Sequence, residues 1–586
     1  MNKEESESTA TEAWAGIPRN DKPTWVLPSP FEVYSSECHW DMGETWGPPP
    51  KTLLERKMYE LSWALRTKPD WQRKAKDPEI QRKWRAEAMD EDIDAYKHEK
   101  LSKKMVDYTL DELDGYAKIA DNERGIERGP FEAIWYSDRL FSADVQQRLK
   151  DAVSVLENVP DVEKDWHPGS DGKVLDLVHP SLYCIVYGRT QAYLSGQPRI
   201  PANLRRIDPP PNTAAKPFML SETSCWMPSD FTVGEDGSVK LVSPYINNLH
   251  PTRHRTIYPI VEEIISGFVP LWERVLGDIN RENGREPFVN SGRLGEISCV
   301  WGAKGEPWPK KLPYDEEERE EFLDEFFGKA KKILPEANSY TGQLEAQFSP
   351  HSLRGRNIQC IVKFANIHLT SEAPQYHGGS WHIEGMVNER IIASGIYYYD
   401  EQNIEETSLS FRVPTGEPEY HDQGDSRCVQ ILYGIALDSS INSSKCIQDL
   451  GSVVTKEGRA LAWPNLFQHC VSPFKLSDPS KPGHRKILAI FLVDPTIDPI
   501  VSATHIPPQH AKWAADELEE AHADRTSNLS KLPQELADMV KACLPTTLMT
   551  LDETKEYRLR LMKERTVFEA DHKLTAYNQT FNMCEH

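Results

Sequence analysis

Gly378-Gly379-Ser380-Trp381-His382-Ile383-Glu384-Gly385 is the stretch on which the reading of this 586-residue chain turns. If extended, it puts His382 and Glu384 on one face, because strand side chains alternate with period two. A His and a carboxylate side by side are two thirds of a facial metal triad. A second His from a neighbouring strand would complete it and leave three positions of an octahedral ion open. The spacing alone is weak. With 18 His and 91 Asp and Glu, chance supplies about three H-x-[DE] pairs, and three are present: His39-Asp41, His382-Glu384 and His522-Asp524. His522 and Asp524 sit in a helical pattern, where i and i+2 point apart. His39 lies in an irregular stretch. Only His382 opens a series of strand-like runs.

Outward from this pair the period of the chain changes. From about Asn357 short apolar runs follow one another: Ile358 to Phe364, Ile391 to Tyr399, Ser408 to Val413, Val429 to Tyr433, Ser452 to Thr455, Arg459 to Trp463 and Lys486 to Val493. Their close spacing, with turn residues between, predicts a sandwich or barrel. The flanks read as helix. Amphipathic segments are expected over 78–92, 107–121 and 143–157, the last opening on Ser142 as N-cap. A long apolar helix is expected from Ile257 to Ile279 and an acidic one from Glu316 to Leu334. Downstream, Ala511 to Ala523, Leu532 to Cys543 and Glu553 to Phe568 read the same way. The expected organisation is α+β: an arm over 1–48, a mainly helical wrapping over 49–345, a β core over 346–500 and a helical region over 501–586.

Beyond the pair, a strand ends at Trp463-Pro464, His469 opens the next, and Arg485 opens the last apolar strand. This order resembles the double-stranded β-helix, a jelly-roll or cupin-like core, of the Fe(II)/2-oxoglutarate-dependent oxygenase superfamily. The resemblance implies an iron site on His382, Glu384 and His469, with Arg485 gripping the far carboxylate of 2-oxoglutarate and O2 as co-reactant. Arginine suits that task, since its planar fork of donors pairs bidentately with a carboxylate. His484 and Lys486 flank it, but strand parity groups Arg485 with Ile487, Ala489 and Phe491, and the resemblance makes Phe491 a bulky pocket wall. Tyr397 and Tyr399 share a face, and two roles stay open for them: reaching the cavity to hydrogen-bond the cosubstrate, or aromatic packing within the sheet. The sequence departs from the pattern in having Glu384 where Asp is commoner, as jumonji-type members also do. The interval from His469 to Arg485 is lengthened by the loop Lys475 to Pro482. Over about residues 50 to 510 the chain also resembles a fungal family of proteins containing domain of unknown function 4246. The phrases that carry this are Asp165-Trp166-His167-Pro168-Gly169-Ser170-Asp171-Gly172-Lys173-Val174, Tyr245-Ile246-Asn247-Asn248-Leu249-His250-Pro251 and Gly379-Ser380-Trp381-His382-Ile383-Glu384-Gly385-Met386.

Composition excludes other classes. Ninety-one acidic against 68 basic side chains leave a net charge of −23, which argues against nucleic acid as a partner, since counterion release needs clustered Lys and Arg. No apolar run approaches the roughly 18 residues of a bilayer span, so no membrane association is expected. The acidic N-terminus lacks the apolar stretch of a secretory leader, and the ten cysteines form no C-x-x-C pair. A cytoplasmic setting, with a nuclear one not excluded, and reduced thiols are therefore expected. H-E-x-x-H, G-x-S-x-G, a phosphate loop and a dinucleotide fingerprint are all missing. The expected activity is Fe(II)- and 2-oxoglutarate-dependent oxidation of a C–H bond, on a small molecule in preference to a protein. Two other classes stay open: a cupin-like metalloenzyme working without 2-oxoglutarate, and a non-catalytic scaffold or ligand-binding protein that keeps the fold.

Overall fold

The computed structural model describes residues 25–31, 47–90, 100–211, 217–281, 288, 291–295, 300, 311–329, 332–420, 426–435, 445–544, 547–578 and 581. The arm expected over 1–48, with His39 and Asp41, lies almost wholly outside them. The helices that bear on the site are α1 (Leu53–Arg66), α2 (Lys103–Ile119), α3 (Ala143–Glu157), α4 (Tyr258–Ile279) and α5 (Leu551–Thr575). Four of them start where a hydroxyl side chain accepts an otherwise unpaired backbone N–H: Thr52 before α1, Ser102 before α2, Ser142 before α3 and Thr550 before α5. The remaining one, α4, buries 13 of its 22 residues, a broad apolar face that suits a helix packed inside a layered core.

The strands of the two larger sheets are β1 (Ile126–Arg128), β2 (Trp135–Ser137), β3 (Val174–Val178), β4 (Ser229–Val233), β5 (Val239–Leu241), β6 (Asn357–Leu369), β7 (Ile391–Gln402), β8 (Thr407–Pro414), β9 (Ile447–Thr455), β10 (Ala460–Pro464), β11 (Gln468–Val471) and β12 (Gly483–Val493). Among the described residues, nine of them form one antiparallel sheet in the order β1-β2-β10-β7-β12-β6-β4-β5, with β3 also beside β6. A second antiparallel sheet runs β9-β8-β11. The protein is thus a mixed α+β structure around a large antiparallel sheet.

Each face of the large sheet has its own neighbours. Leu488, Ile490 and Leu492 of β12 lie opposite Phe364, Val362 and Cys360 of β6 and pack with α4. This outer face needs Gly395 on β7: a Cβ there would stand 2.8 Å from two ring carbons of Phe268. The inner face carries Arg485, Ile487, Ala489 and Phe491, opposite Glu401, Tyr398, Ile396 and Ser394 of β7. Trp463 of β10, opposite Ser394, meets Phe411 of β8 at 5.5 Å between ring centroids and so joins the inner face to the second sheet. The last helix, α5, closes on the same side, its Leu561 buried with Phe491, Ala489 and Ile361 and its Phe568 with Ile383 and Met386.

Two expectations need correction. Residues 429–433 are the end of a helix, Ser426–Tyr433, whose buried Cys428, Val429 and Leu432 recur at i, i+1 and i+4. The large sheet is also wider than residues 346–500, because β1 to β5 come from the stretch expected to be mainly helical wrapping. Those strands have only three to five residues each and gain their partners from the edges of longer ones, so little alternation marks them. Among the described residues no helix is long and apolar enough to cross a membrane.

Candidate metal centre

His382 and His469 face each other across an antiparallel bridge and exchange both backbone hydrogen bonds: His382 N–H to the His469 carbonyl at 3.2 Å, and the reverse at 3.0 Å. Residues paired in this way put their side chains on one side, and the two imidazoles stand 4.3 Å apart between centroids. Glu384, two residues on, returns to that side. Its Oε1 lies 3.6 Å from His382 Nε2 and 3.4 Å from His469 Nε2. Neighbouring ligands of an octahedral ion, bound at about 2.1 Å, stand about 3 Å apart. The carboxylate oxygen is therefore close to ligating separation from each imidazole, and all three donors lie within 4.8 Å of one another.

The protonation states also suit a cation. His382 Nδ1 is 2.7 Å from the carbonyl of Ser380. A carbonyl only accepts, so Nδ1 carries a proton, and Nε2 is the nitrogen turned toward Glu384, able to ligate once the proton it shares with that carboxylate is displaced. Burial alone would push the Glu384 carboxyl up, but the two imidazoles hold it well below the carboxylate range. For His382 burial opposes the charge and Glu384 more than offsets it, so its basicity rises. Burial and the neighbouring His382 push His469 down to about 4. The cluster thus holds one anion and shares one proton, which an arriving dication would displace.

One supporting residue escaped the sequence. Asn465, fully buried, accepts from the Glu384 backbone N–H at 2.8 Å and donates to the carbonyls of Glu384 at 2.8 Å and Ile391 at 3.0 Å. It fixes the backbone of the carboxylate ligand against the start of β7. Its only sequence signal is its place after Trp463-Pro464, a turn that reads as irregular.

Of the three consecutive basic residues at the start of β12, only Arg485 turns inward. His484 pairs with Asp400 at 2.9 Å and Lys486 with Glu157 of α3 at 3.0 Å, both on the outer side. The Arg485 guanidinium, 1% exposed, lies 4.9 Å from the ring of Phe474, just past β11, and 5.4 Å from that of Tyr398. Glu401 Oε2 accepts from its Nε at 2.9 Å and its Nη2 at 2.7 Å, while Nη1 is buried without a partner. Tyr397 and Tyr399 do not reach this side. Tyr397 packs on Phe141 at 4.6 Å and Tyr399 lies against Phe364 and Asn366, all on the outer face. Strand parity excludes them, and the tyrosine on the arginine's face is Tyr398, whose buried hydroxyl has no partner. Phe491 shares the inner face but stacks on Trp226 at 5.7 Å within an apolar cluster that includes Leu561.

A second group with metal-ligand chemistry, His167, Asp176 and His179, lies along β3. Asp176 is opposite Ala365 and so belongs to the inner face. Its tautomers differ from those of the first group. His167 Nδ1 gives its proton to Asp176 Oδ2 at 2.7 Å, but His179 Nδ1 accepts the Ser181 backbone N–H at 3.2 Å, which leaves the proton on Nε2. A protonated Nε2 cannot ligate. Arg558 of α5 stands 3.7 Å from Asp176 as well. Among the described residues, the His382, Glu384 and His469 group is the one in which both imidazoles turn Nε2 toward a shared carboxylate.

Comparison with known proteins adds the following. No curated protein matches the chain. Among solved structures it has a likeness to a selenomethionine-labelled Fe(II)/(alpha)ketoglutarate-dependent dioxygenase, TqaL, at 10% identity and TM-score 0.21, covering 63% of this chain and 94% of that one. IDO from Bacillus thuringiensis aligns at 12% identity and TM-score 0.14, over 23% of this chain and 45% of that one. EvdO2 from Micromonospora carbonacea var. aurantiaca, in complex with 2-oxoglutarate, aligns at 14% identity and TM-score 0.12, over 23% and 52%. The chain thus spans about half the length of the latter two, and TM-scores this low lend no weight to any functional reading. The family models are another matter: one matches residues 14–87 as an N-terminal domain of unknown function, DUF4246, and the main one matches residues 103–517, so the chain belongs to the family described as proteins of unknown function, DUF4246.

Proposed function

We propose that this chain is an Fe(II)- and 2-oxoglutarate-dependent oxygenase built on a double-stranded β-helix. The winding supports the fold. From β6 the chain passes to the His382 segment beside β11, back to β7, across to β8 and β9, back to β10, across to β11 and back to β12. Alternation between two facing sheets is how a jelly roll is wound. The observation that carries the function is the convergence of two imidazole Nε2 atoms on one carboxylate oxygen, all on a single side. Arg485 Nη1 and the Tyr398 hydroxyl, both buried without acceptors, lie on the inner face of the large sheet.

Iron held by His382, Glu384 and His469 would, with 2-oxoglutarate and O2, supply C–H oxidation coupled to loss of CO2 from the cosubstrate. The chain's own residues orient and enclose. The Ser380 carbonyl keeps the His382 lone pair aimed, and Asn465 keeps the Glu384 backbone in place. Arg485 and Tyr398 offer N–H and O–H donors to the far carboxylate of the cosubstrate, in surroundings dry enough to strengthen those bonds. A small-molecule substrate fits the enclosure by α5 better than a protein does, and the net charge of −23 speaks against nucleic acid. Anaerobic addition of Fe(II) and 2-oxoglutarate should give a visible charge-transfer absorption that His382→Ala abolishes; its absence in the unaltered protein refutes the proposal. One observation favours the second reading, a metalloenzyme working without 2-oxoglutarate: Glu401 already occupies part of Arg485. Metal-dependent activity indifferent both to 2-oxoglutarate and to Arg485→Ala would decide for it.

A further inference from the structure

The ion pair on Arg485 is unevenly placed. The guanidinium is 1% exposed and held between Phe474 and Tyr398, so it cannot move toward water. The Glu401 side chain is 16% exposed and sits near the end of β7, opposite Arg485 in the ladder. Of the two partners, only the carboxylate has somewhere to go. Its hold is also partial: one oxygen takes both Nε and Nη2, and Nη1 is left with no acceptor. The Tyr398 hydroxyl beside it lacks one too. Two buried donors without acceptors, next to a half-satisfied cation, make a receptor for one further carboxylate oxygen.

We propose that Glu401 is the resident counter-anion of this receptor and sets how tightly it takes the distal carboxylate of a dicarboxylic acid. This rests on the 2-oxoglutarate reading above. Without ligand, Glu401 neutralises a guanidinium that would otherwise be a buried and unpaired charge. When a ligand carboxylate reaches Nη1 and Tyr398, two anions share one cation, and the one with access to water is loosened. Binding of the cosubstrate is therefore an exchange, and its strength is the difference between two carboxylates on one arginine. Monocarboxylic keto acids that end before the receptor gain nothing from it, so Glu401 tunes selection among cosubstrates by their length.

The test is calorimetric titration of the full-length, Mn(II)-loaded protein with 2-oxoglutarate and with pyruvate, which shares the keto-acid end but has no distal carboxylate. Glu401→Gln keeps the size and an acceptor oxygen while removing the charge. It should bind 2-oxoglutarate roughly tenfold tighter, one charge contact's worth in half-solvated surroundings, and pyruvate no differently. Glu401→Asp, which keeps the charge but draws it back by one methylene, should shift the same way by a smaller factor and serves if the Gln variant does not fold. Equal or weaker 2-oxoglutarate binding in the Gln variant, with the unaltered protein binding normally, overturns the role of Glu401 and leaves the oxygenase reading intact. Failure of 2-oxoglutarate to bind any of the three proteins overturns both.

Discussion

At the residue scale the candidate centre depends on two kinds of side chain, those that face the cation and those that hold them there. Removing a donor should remove the cation: Glu384→Ala and His469→Ala are each expected to lower Fe(II) or Mn(II) affinity by at least a hundredfold, measured by elemental analysis after dialysis. Asn465→Ala should be costly in another way. It strands one N–H and two carbonyls in a buried site, so about 3 kcal/mol of stability should go, read from a urea melt, with metal affinity falling tenfold or more as Glu384 loosens. His382, Glu384 and His469 were legible because metal donors are few and their strand context is periodic. Tyr397 and Tyr399 could not be assigned a side because alternation says which residues share a face, not which face is inside. That needed the ladder with β12, in which Tyr398 lies opposite Ile487 on the arginine's side. Asn465 was not legible at all, for its partners are backbone groups, which leave no mark on composition.

At the scale of elements, the long strands and the capped helices could be read because each signal is local. Ser142 capping α3 is one case, and the run that became β12 is another. The helix Ser426–Tyr433 was mistaken for a strand because five apolar residues in a row fit both periods. The packing of α4 on β7 was invisible, since it turns on the absence of one side chain. Gly395→Ala should push a methyl into Phe268 and cost about 1–3 kcal/mol, visible as a lower midpoint in chemical denaturation with an unchanged slope. The same substitution should leave the metal centre's affinity untouched, because Gly395 belongs to the outer face.

At the scale of the whole molecule, several buried imidazoles make stability depend on pH. Burial pushes His254, His368 and His572 down to about 4, and His179 and His510 well below their ordinary 6.5. A group whose folded basicity is depressed stays neutral in the fold while the unfolded chain takes up a proton. Stability is therefore fully present above pH 6.5 and lost as the pH falls toward 4. His572 alone accounts for about 2 kcal/mol at pH 5. Depressed carboxylates such as Asp176 and Glu384 extend the loss in the same direction at lower pH. Melting temperatures measured at pH 7.5, 6 and 5 should descend by several degrees in all, and a flat profile would contradict the burial of these rings.

The centre is stitched together from distant parts of the chain: Asn465 reaches Glu384 across 81 residues, Arg565 of α5 reaches Glu389 across 176, and Arg558 reaches Asp165 across 393. Such closures are slow to form, since each long loop must be ordered before its contact repays it. During vectorial synthesis on a ribosome the two imidazoles cannot meet until the strand carrying His469 has emerged. The inner face stays uncovered until α5 follows. A nascent chain stalled between those points would display Phe491, Ile361 and Trp226 to water, an apolar surface of the kind chaperones bind. The order of translation, rather than the chemistry of the site, thus decides when this protein is most exposed to aggregation.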